Sequence, residues 1–505
     1  MIGHTYLQRD CGASERTLAG AYLRQPESFA APSSPSGKVP REQLAEAMRA
    51  RYTDYGLTPP AALKRLADGA ATWTAGHQLV AAGGPAFFHL KILSMVRRAR
   101  LQAEGPVVVF WLASEDHDWD EVRHFPRVHG AGSDWAWPES VCAGAVGRWE
   151  LDEAARTAAR DWSAAMGLSE AWRRPVINAL DRSQTLGEAA FRWVHEWFGE
   201  DGVLVLDADD PTLKAWAAPL WEAELSGQGI GQPLARQTAH LEQAGWKPGL
   251  FPRDVALFEL RPNERVRLER TPEGIAPVDG RWTLAPEEAS TVAAEARWSP
   301  NAALRPLYQE WLLGNEAVFL GPSELAYWLQ LTEAFAHHGL AFPRLELRDG
   351  GVAVSEEEWG WLQGQNWHPR EGAHGVETRW QAACVQGAQP YLPAWDFSAW
   401  AEEFVAQVKP LDPTLEGAAR AAVKKMEKAF DGTAGKVRRA WRAQHAEEEA
   451  FIGKLVERLA PQSTPQERVE HLAAWGEWDV VREGWCAQGV DAPIFSVWVA
   501  GDSGR

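Results

Sequence analysis

Residues 107–121 read VVVFWLASEDHDWDE. The first seven, Val107 to Ala113, are continuously apolar. A run of that length, rich in β-branched residues, suits a strand covered on both faces. Acids and a histidine follow at once: Glu115, Asp116, His117, Asp118, Asp120 and Glu121. Parallel sheets bury both faces of their strands and bind ligands outside the strands' carboxyl ends. The stretch therefore predicts both a sheet of that kind and a polar site on its rim.

The pattern recurs along the chain. Ala70 to Thr74 is a short strand candidate, followed by Gly76, His77 and Gln78. Val203 to Leu206 is followed by Asp207, Asp209, Asp210 and Pro211, and Ala317 to Leu320 by Gly321, Pro322, Ser323 and Glu324. Leu340 to Leu347 is a weaker fifth run. Helix starts come after them: Asp210 caps with Pro211 in the first turn, and Ser323 precedes Leu325 to Leu329. Buried strands alternating with helices predict an α/β protein with a doubly wound parallel sheet. Residues 134–200 and 215–300 are too long for simple crossovers and read as helical or mixed insertions. Residues 26–40 read as a loop and 41–69 as helical.

The C-terminal region has a different pattern. Beyond Leu411 to Thr414, apolar residues recur at Val423, Met426, Phe430, Val437, Trp441, Phe451, Leu455 and Leu459, with charges between them. Asp431-Gly432 reads as a break that makes a helical hairpin, and Pro461 as its end. Such helices either pack on their own domain or form a coiled-coil arm that dimerises. The organisation expected is a core over 1–395, an arm over 396–460, and a segment over 461–505 that returns to the core.

Composition excludes several classes. The chain has 505 residues, 45% hydrophobic and 24% charged, which fits a globular protein of more than one domain. Its net charge of −18 argues against a nucleic-acid binder, which needs a basic face. No run of about 18 apolar residues offers a membrane span, and the start shows no secretory pattern. Four scattered cysteines form no CxxC pair, so the expectation is a cytoplasmic protein with reduced thiols. Trp is 28 against 7 Tyr, so positions needing a large aromatic are expected to carry Trp.

Three clusters can carry chemistry. In the first, acids crowded at residues 115–121 repel, by roughly 4 kcal/mol for a pair ~4 Å apart at an effective dielectric near 20. A cation, an ammonium group or hydrogen-bond donors would offset that cost. His117 can act as acid, base or ligand there. His117, Asp120 and His124 also have a spacing that permits metal ligation. A solvated acidic helix start explains the same residues. The second cluster is Gly76, His77 and Gln78 with Lys91 downstream, suited to an anion or equally to a plain Gly-rich turn. GxxxxGK[ST] and GxGxxG loops are absent. In the third, Ser299 or Asn301 can cap a helix whose Arg305 can fork onto a carboxylate or phosphate, with Tyr308 and Gln309 adding hydrogen bonds. An ordinary helix with a structural arginine fits equally well. No GxSxG nucleophile motif is present.

Taken in this order, the motifs resemble the bacillithiol biosynthesis cysteine-adding enzymes, the BshC family of cysteine ligases. The likeness rests on Ala75-Gly76-His77-Gln78, Gly84-Pro85 and Lys91, and on Phe110-Trp111 through Glu115-Asp116-His117-Asp118 to Glu121. It continues in Asp207 to Pro211, Ser299 to Glu310, Gly321 to Trp328, and Gln466-Glu467-Arg468. It implies a Rossmann-like core related to nucleotidyltransferase-type synthetases, with insertions and a coiled-coil arm for homodimerisation. The implied reaction adds L-cysteine to the amine of glucosaminyl malate, giving bacillithiol. The implied catalytic residues are His77, Asp116 and His117. Gly76, Gln78, Lys91, Glu115, Asp118, Asn301, Arg305, Tyr308, Gln309 and Glu324 are implied for substrate or nucleotide binding, with no metal ligand assigned. Amide formation needs an activated carboxylate, so ATP with magnesium is the expected cofactor. The alternatives are a metal-dependent hydrolase using His117, Asp120 and His124, and a dimeric non-catalytic scaffold.

Overall fold

The computed structural model describes residues 2–8, 17–29, 37–132, 134–138 and 144–500. Cys11 and Cys142, and part of the loop read at 26–40, lie outside them. In chain order the strands are β1 (Ile2–Leu7), β2 (Thr72–Gln78), β3 (Val107–Ala113), β4 (Leu204–Asp207), β5 (Leu257–Arg261) and β6 (Glu264–Thr271). They continue with β7 (Gly274–Pro277), β8 (Trp298–Pro300), β9 (Ala317–Leu320), β10 (Arg344–Leu347), β11 (Gly350–Ser355) and β12 (Ile494–Ala500).

The central sheet runs β10-β9-β2-β3-β4, all parallel. In sequence order of its members this is 3-2-1-4-5, the doubly wound order, with the reversal between β2 and β9. Strand β3 is an interior strand, between β2 and β4, and all seven of its residues are buried. Its alternate residues enter two cores. Val108, Phe110 and Leu112 face one core with the helix Ala86–Ala99. Val107, Val109, Trp111 and Ala113 face the other with the helices Arg41–Asp54 and Arg305–Leu313. That two-sided burial explains the continuous apolar run, because a one-sided strand would alternate. Many of the tryptophans fill these cores; Trp73, Trp111, Trp193, Trp221 and Trp298 are among the largest fully buried side chains.

Strand β2 extends further than the sequence suggests. Gly76, His77 and Gln78 pair with Trp111, Leu112 and Ala113 of β3, so they are strand rather than turn. Backbone pairing with a fully buried neighbour outweighs the low strand preference of such polar residues.

Of the two insertions, residues 134–200 hold three helices, Glu153–Ala165, Glu170–Arg182 and Leu186–Phe198. The second, 215–300, is mixed rather than purely helical. After Ala218–Leu225 and Gly231–Gln243 it forms an antiparallel sheet, β7-β6-β5-β8. Strand β12 pairs with β1 and β11, so the C-terminal segment returns to the core.

The chain divides into two units: Met1–Ser355 with Gln466–Arg505, and Glu356–Pro465. Residues 356–395 thus belong with the helical unit, where the sequence reading keeps them in the core. Their helix Gly372–Ala388 packs on the long helices of that unit. Helix Leu415–Gln444 also runs straight through Asp431-Gly432, where the sequence suggests a break. One glycine costs a helix only about 1 kcal/mol against alanine, too little to end a 30-residue helix of good helix formers. The break comes instead at His445, before Ala446–Leu459.

Candidate active site

Strands β2 and β9 pair only at Trp73 with Ala317 and Thr74 with Val318, then separate. At this reversal the carboxyl ends of the strands open onto a cavity of about 390 Å3. His77, Gln78, Glu115, Asp116, His117, Asp118, Asn301, Arg305 and Glu324 line it, joined by Phe258, Arg265 and Tyr327. Clusters more than two hundred residues apart thus share one crevice, as doubly wound sheets require of a ligand site.

Lys91 and Gly76, both expected at the site, do not line it, but Lys91 holds the lining residue Glu324. Lys91 Nζ, buried, donates to the Gly76 carbonyl at 2.9 Å and to Glu324 Oε2 at 2.7 Å. Glu324 Oε2 also accepts the Gly321 N–H at 2.8 Å. Burial would raise the Glu324 carboxyl, but Lys91 and the Gly321 N–H hold it down at about 2.

Asp116 anchors the acidic turn. Its Oδ2 accepts from Gln78 Nε2 at 2.8 Å, and its Oδ1 from the His117 backbone N–H at 2.7 Å. Arg265 Nη1 adds a contact of 3.3 Å. Burial works against the charge, yet the contacts with His117, the Arg265 guanidinium and the Gln78 amide keep this carboxyl well below the usual range. Glu115 turns inward and pairs with buried Lys214 at 3.0 Å. Lys214 also holds Asp209 at 2.6 Å, and Arg148 closes on Asp209 from the other side. The crowded acids are therefore partly compensated within the protein. Burial still raises the Glu115 carboxyl against Lys214.

Arg265 comes from β6 in the second insertion. Its Nε donates to Ser299 Oγ at 3.1 Å, and its Nη2 to the Pro300 carbonyl at 2.6 Å. Its Nη1 lies 2.9 Å from His117 Nδ1, and the guanidinium stacks 4.2 Å over the Phe258 ring. Arg305 stands at the start of helix Arg305–Leu313 and donates to Tyr327 Oη at 3.0 Å. Asn301 closes the turn that leads into this helix: its Oδ1 accepts from the N–H groups of Ala303 and Leu304.

Besides Gly76 and Lys91, the expected binding residues Tyr308 and Gln309 also lie outside the lining. Tyr308 is buried against Trp111 and Trp221 and donates to the Ala208 carbonyl at 3.2 Å. Gln309 donates to Glu310 Oε1, which in turn holds Asn315. On a helix, positions three and four beyond Arg305 follow the buried face here, and neither side chain lines the cavity. His117, Asp120 and His124 do not form a ligand set. Among the described residues, no group of three or more His, Cys, Asp or Glu is placed to hold a metal ion.

Family models match in two places. Residues 13–349 match the N-terminal Rossmann-like domain of bacillithiol biosynthesis BshC, and 396–476 its C-terminal coiled-coil domain. The chain belongs to the BshC family. Its similar BshC relatives carry the name "Putative cysteine ligase BshC". The protein of Cytophaga hutchinsonii is 32% identical over 63% of this chain and 61% of its own length, so that match spans less than two thirds of the relative. The Flavobacterium psychrophilum protein is 28% identical over 86% of this chain and 83% of its own. One from Thermus thermophilus is 28% identical over 82% and 84%. In this BshC chain the sequence reading misses three large lining side chains: Tyr327, inside the Gly321 to Trp328 motif, and Arg265 and Phe258, in ERVRLERT and VALFEL. Neither segment carries a motif, and only the strand pairing of β5 with β6 and β8 brings them to the rim.

Proposed function

We propose that the protein is a cysteine ligase that joins the carboxyl of L-cysteine to the amine of glucosaminyl malate, forming bacillithiol. The observation that carries this reading is the composition of one cavity. Carboxylates of the 115–118 turn and two guanidinium groups, Arg265 against Asp116 and Arg305, line one cavity of about 390 Å3. Carboxylates suit an ammonium or amine, and guanidinium forks suit carboxylates or phosphates. Both substrates carry both kinds of group.

The chemistry follows from that division. Asp116 and Asp118 hold the amine near the rim, and Arg305 holds a malate carboxylate. Lys91 is committed to Glu324 and Gly76, so it holds a wall residue in place rather than binding an anion. Amide formation needs the carboxyl activated, and a nucleoside triphosphate would supply that. Arg305 is the guanidinium that would hold a phosphate beside the malate carboxylate, since Arg265 is committed to Ser299, Pro300 and Asp116. A magnesium ion usually takes one or two carboxylates plus phosphate oxygens, which Asp118 on the rim suits. A homodimer through the helical unit is part of the same proposal. Among its described residues Trp395, Trp400, Phe404 and Met426 are exposed, large apolar side chains that a second copy would cover.

The test is direct. Purified protein with L-cysteine, glucosaminyl malate and ATP should yield the thiol, and a strain lacking the gene should lose it and accumulate the amino sugar. His117→Ala and Asp116→Ala should fail to restore it. Normal thiol levels with either variant would overturn the site assignment.

A further inference from the structure

Two histidines line the cavity, and their ring nitrogens are committed in opposite senses. His77 Nδ1 lies 2.8 Å from the carbonyl oxygen of Gln78. A carbonyl only accepts, so this Nδ1 carries the proton and Nε2 holds a lone pair. His117 Nδ1 lies 2.9 Å from Arg265 Nη1. A guanidinium only donates, so here Nδ1 holds the lone pair and Nε2 carries the proton. Asp116 Oδ1 approaches the same His117 nitrogen at 3.3 Å, a longer contact, and takes the backbone N–H at 2.7 Å instead. Arg265 cannot easily swing away. Ser299, Pro300, Asp116 and the Phe258 ring hold it on four further sides.

Resting on the amide-forming reading above, we propose that the Gln78 carbonyl and Arg265 fix the two histidines in opposite tautomers, so that His77 accepts the proton of the attacking amine while His117 donates a hydrogen bond to the developing oxyanion. Arg265 is then a positioning residue that acts through His117. The amine nitrogen attacks the carbonyl carbon of a mixed anhydride of cysteine and a phosphate. The new C–N bond forms as the carbonyl electron pair moves to oxygen, where the His117 Nε2–H meets it. The surplus proton on nitrogen passes to His77 Nε2. The pair on oxygen then re-forms the carbonyl, and the C–O bond to phosphate breaks with its electrons leaving on the phosphate. Proton removal and oxyanion stabilisation thus fall to separate groups, each preset before the reaction.

The setting of each ring favours this. His77 packs against Phe87 and Phe88, with Lys91, Glu324 and Arg305 as its charged neighbours. Burial and Lys91 pull its imidazole down to about 4, so the ring is neutral near pH 7 and carries a single ring proton. His117 is more exposed, beside Asp116, Arg265 and the Phe258 ring.

Nitrogen-15 spectra of full-length protein labelled at histidine test the arrangement, with the two rings assigned from the His77→Gln and His117→Gln variants. Neutral rings protonated at Nδ1 or Nε2 give different patterns. The expected result is Nδ1–H for His77 and Nε2–H for His117; the same tautomer in both overturns the proposal. In Arg265→Lys the His117 pattern should change while that of His77 stays, and an unchanged His117 removes the role of Arg265. Kinetics test the chemistry. His117→Gln keeps an N–H near the Nε2 position and should retain kcat within about tenfold, whereas His117→Ala should lose about 10²–10³-fold. His77→Gln and His77→Ala should both lose about 10²-fold or more, since an amide cannot take the proton. A fully active His77→Gln, or a His117→Gln as poor as the alanine variant, overturns the assigned roles. Wild-type protein that makes no amide product would instead fail the ligase reading, and the ring spectra would still decide the tautomers.

Discussion

Lys91 Nζ sits 2.7 Å from Glu324 Oε2, bridging the gap where β2 and β9 cease to pair. The lysine side chain is 2% exposed and the glutamate 26%. A charge pair at the reversal point of the sheet thus holds the cavity-lining Glu324 beyond the last strand-to-strand pairing.

Replacing Lys91 by Met should therefore destabilise the protein. Removing one member of a buried pair costs about 3–5 kcal/mol, and the partial exposure of Glu324 puts this case at the low end. Lys91→Met with Glu324→Gln should recover part of the loss. Denaturant unfolding measures both, and an unchanged midpoint for the single variant would refute the expectation.

The same pair makes a pH prediction. Glu324 is held at about 2, below the ~4.3 of a free glutamate. Between those values the unfolded chain binds more protons than the folded one, so stability rises with pH there. The contribution is fully present above about pH 4.3 and is lost as pH falls through about 2. Glu324→Gln should flatten the stability profile in that window. Identical slopes for variant and wild type would count against it.

Lys214 should matter as much as any cavity residue while lying outside it. Its side chain is fully buried between Glu115 and Asp209. Lys214→Met leaves both carboxylates short of their cation, at a cost of about 3–5 kcal/mol. It should also loosen the 115–118 turn and raise KM more than it lowers kcat. A stable variant with wild-type kinetics would show that the turn does not depend on this lysine.

Tyr308 should prove structural. Tyr308→Phe loses one hydrogen bond to the Ala208 carbonyl, worth about 1 kcal/mol, and should leave kcat and KM unchanged. A large rise in KM would return Tyr308 to the binding residues.

Legibility followed burial. Val107 to Ala113 and Ala317 to Leu320 are strands over the residues the sequence suggests, because strands covered on both faces leave an unbroken apolar run. The end of β2 was hidden, since Gly76, His77 and Gln78 resemble a turn until β3 supplies the pairing partners. Motif membership led equally to Arg305 and to Tyr308, although helix rotation puts only the first in the cavity.

The sequence by itself determined the doubly wound class, the polar rim at the strand ends, the family resemblance and most residues of the cavity wall. These are local properties, written in apolar runs and in the residues that directly follow them. Tertiary structure alone decided that β2 and β9 adjoin at the reversal, that Lys91 is taken up by Glu324, and that Arg265 reaches His117 from an insertion. Those facts depend on strand order and on contacts between residues more than a hundred positions apart, which no local pattern encodes.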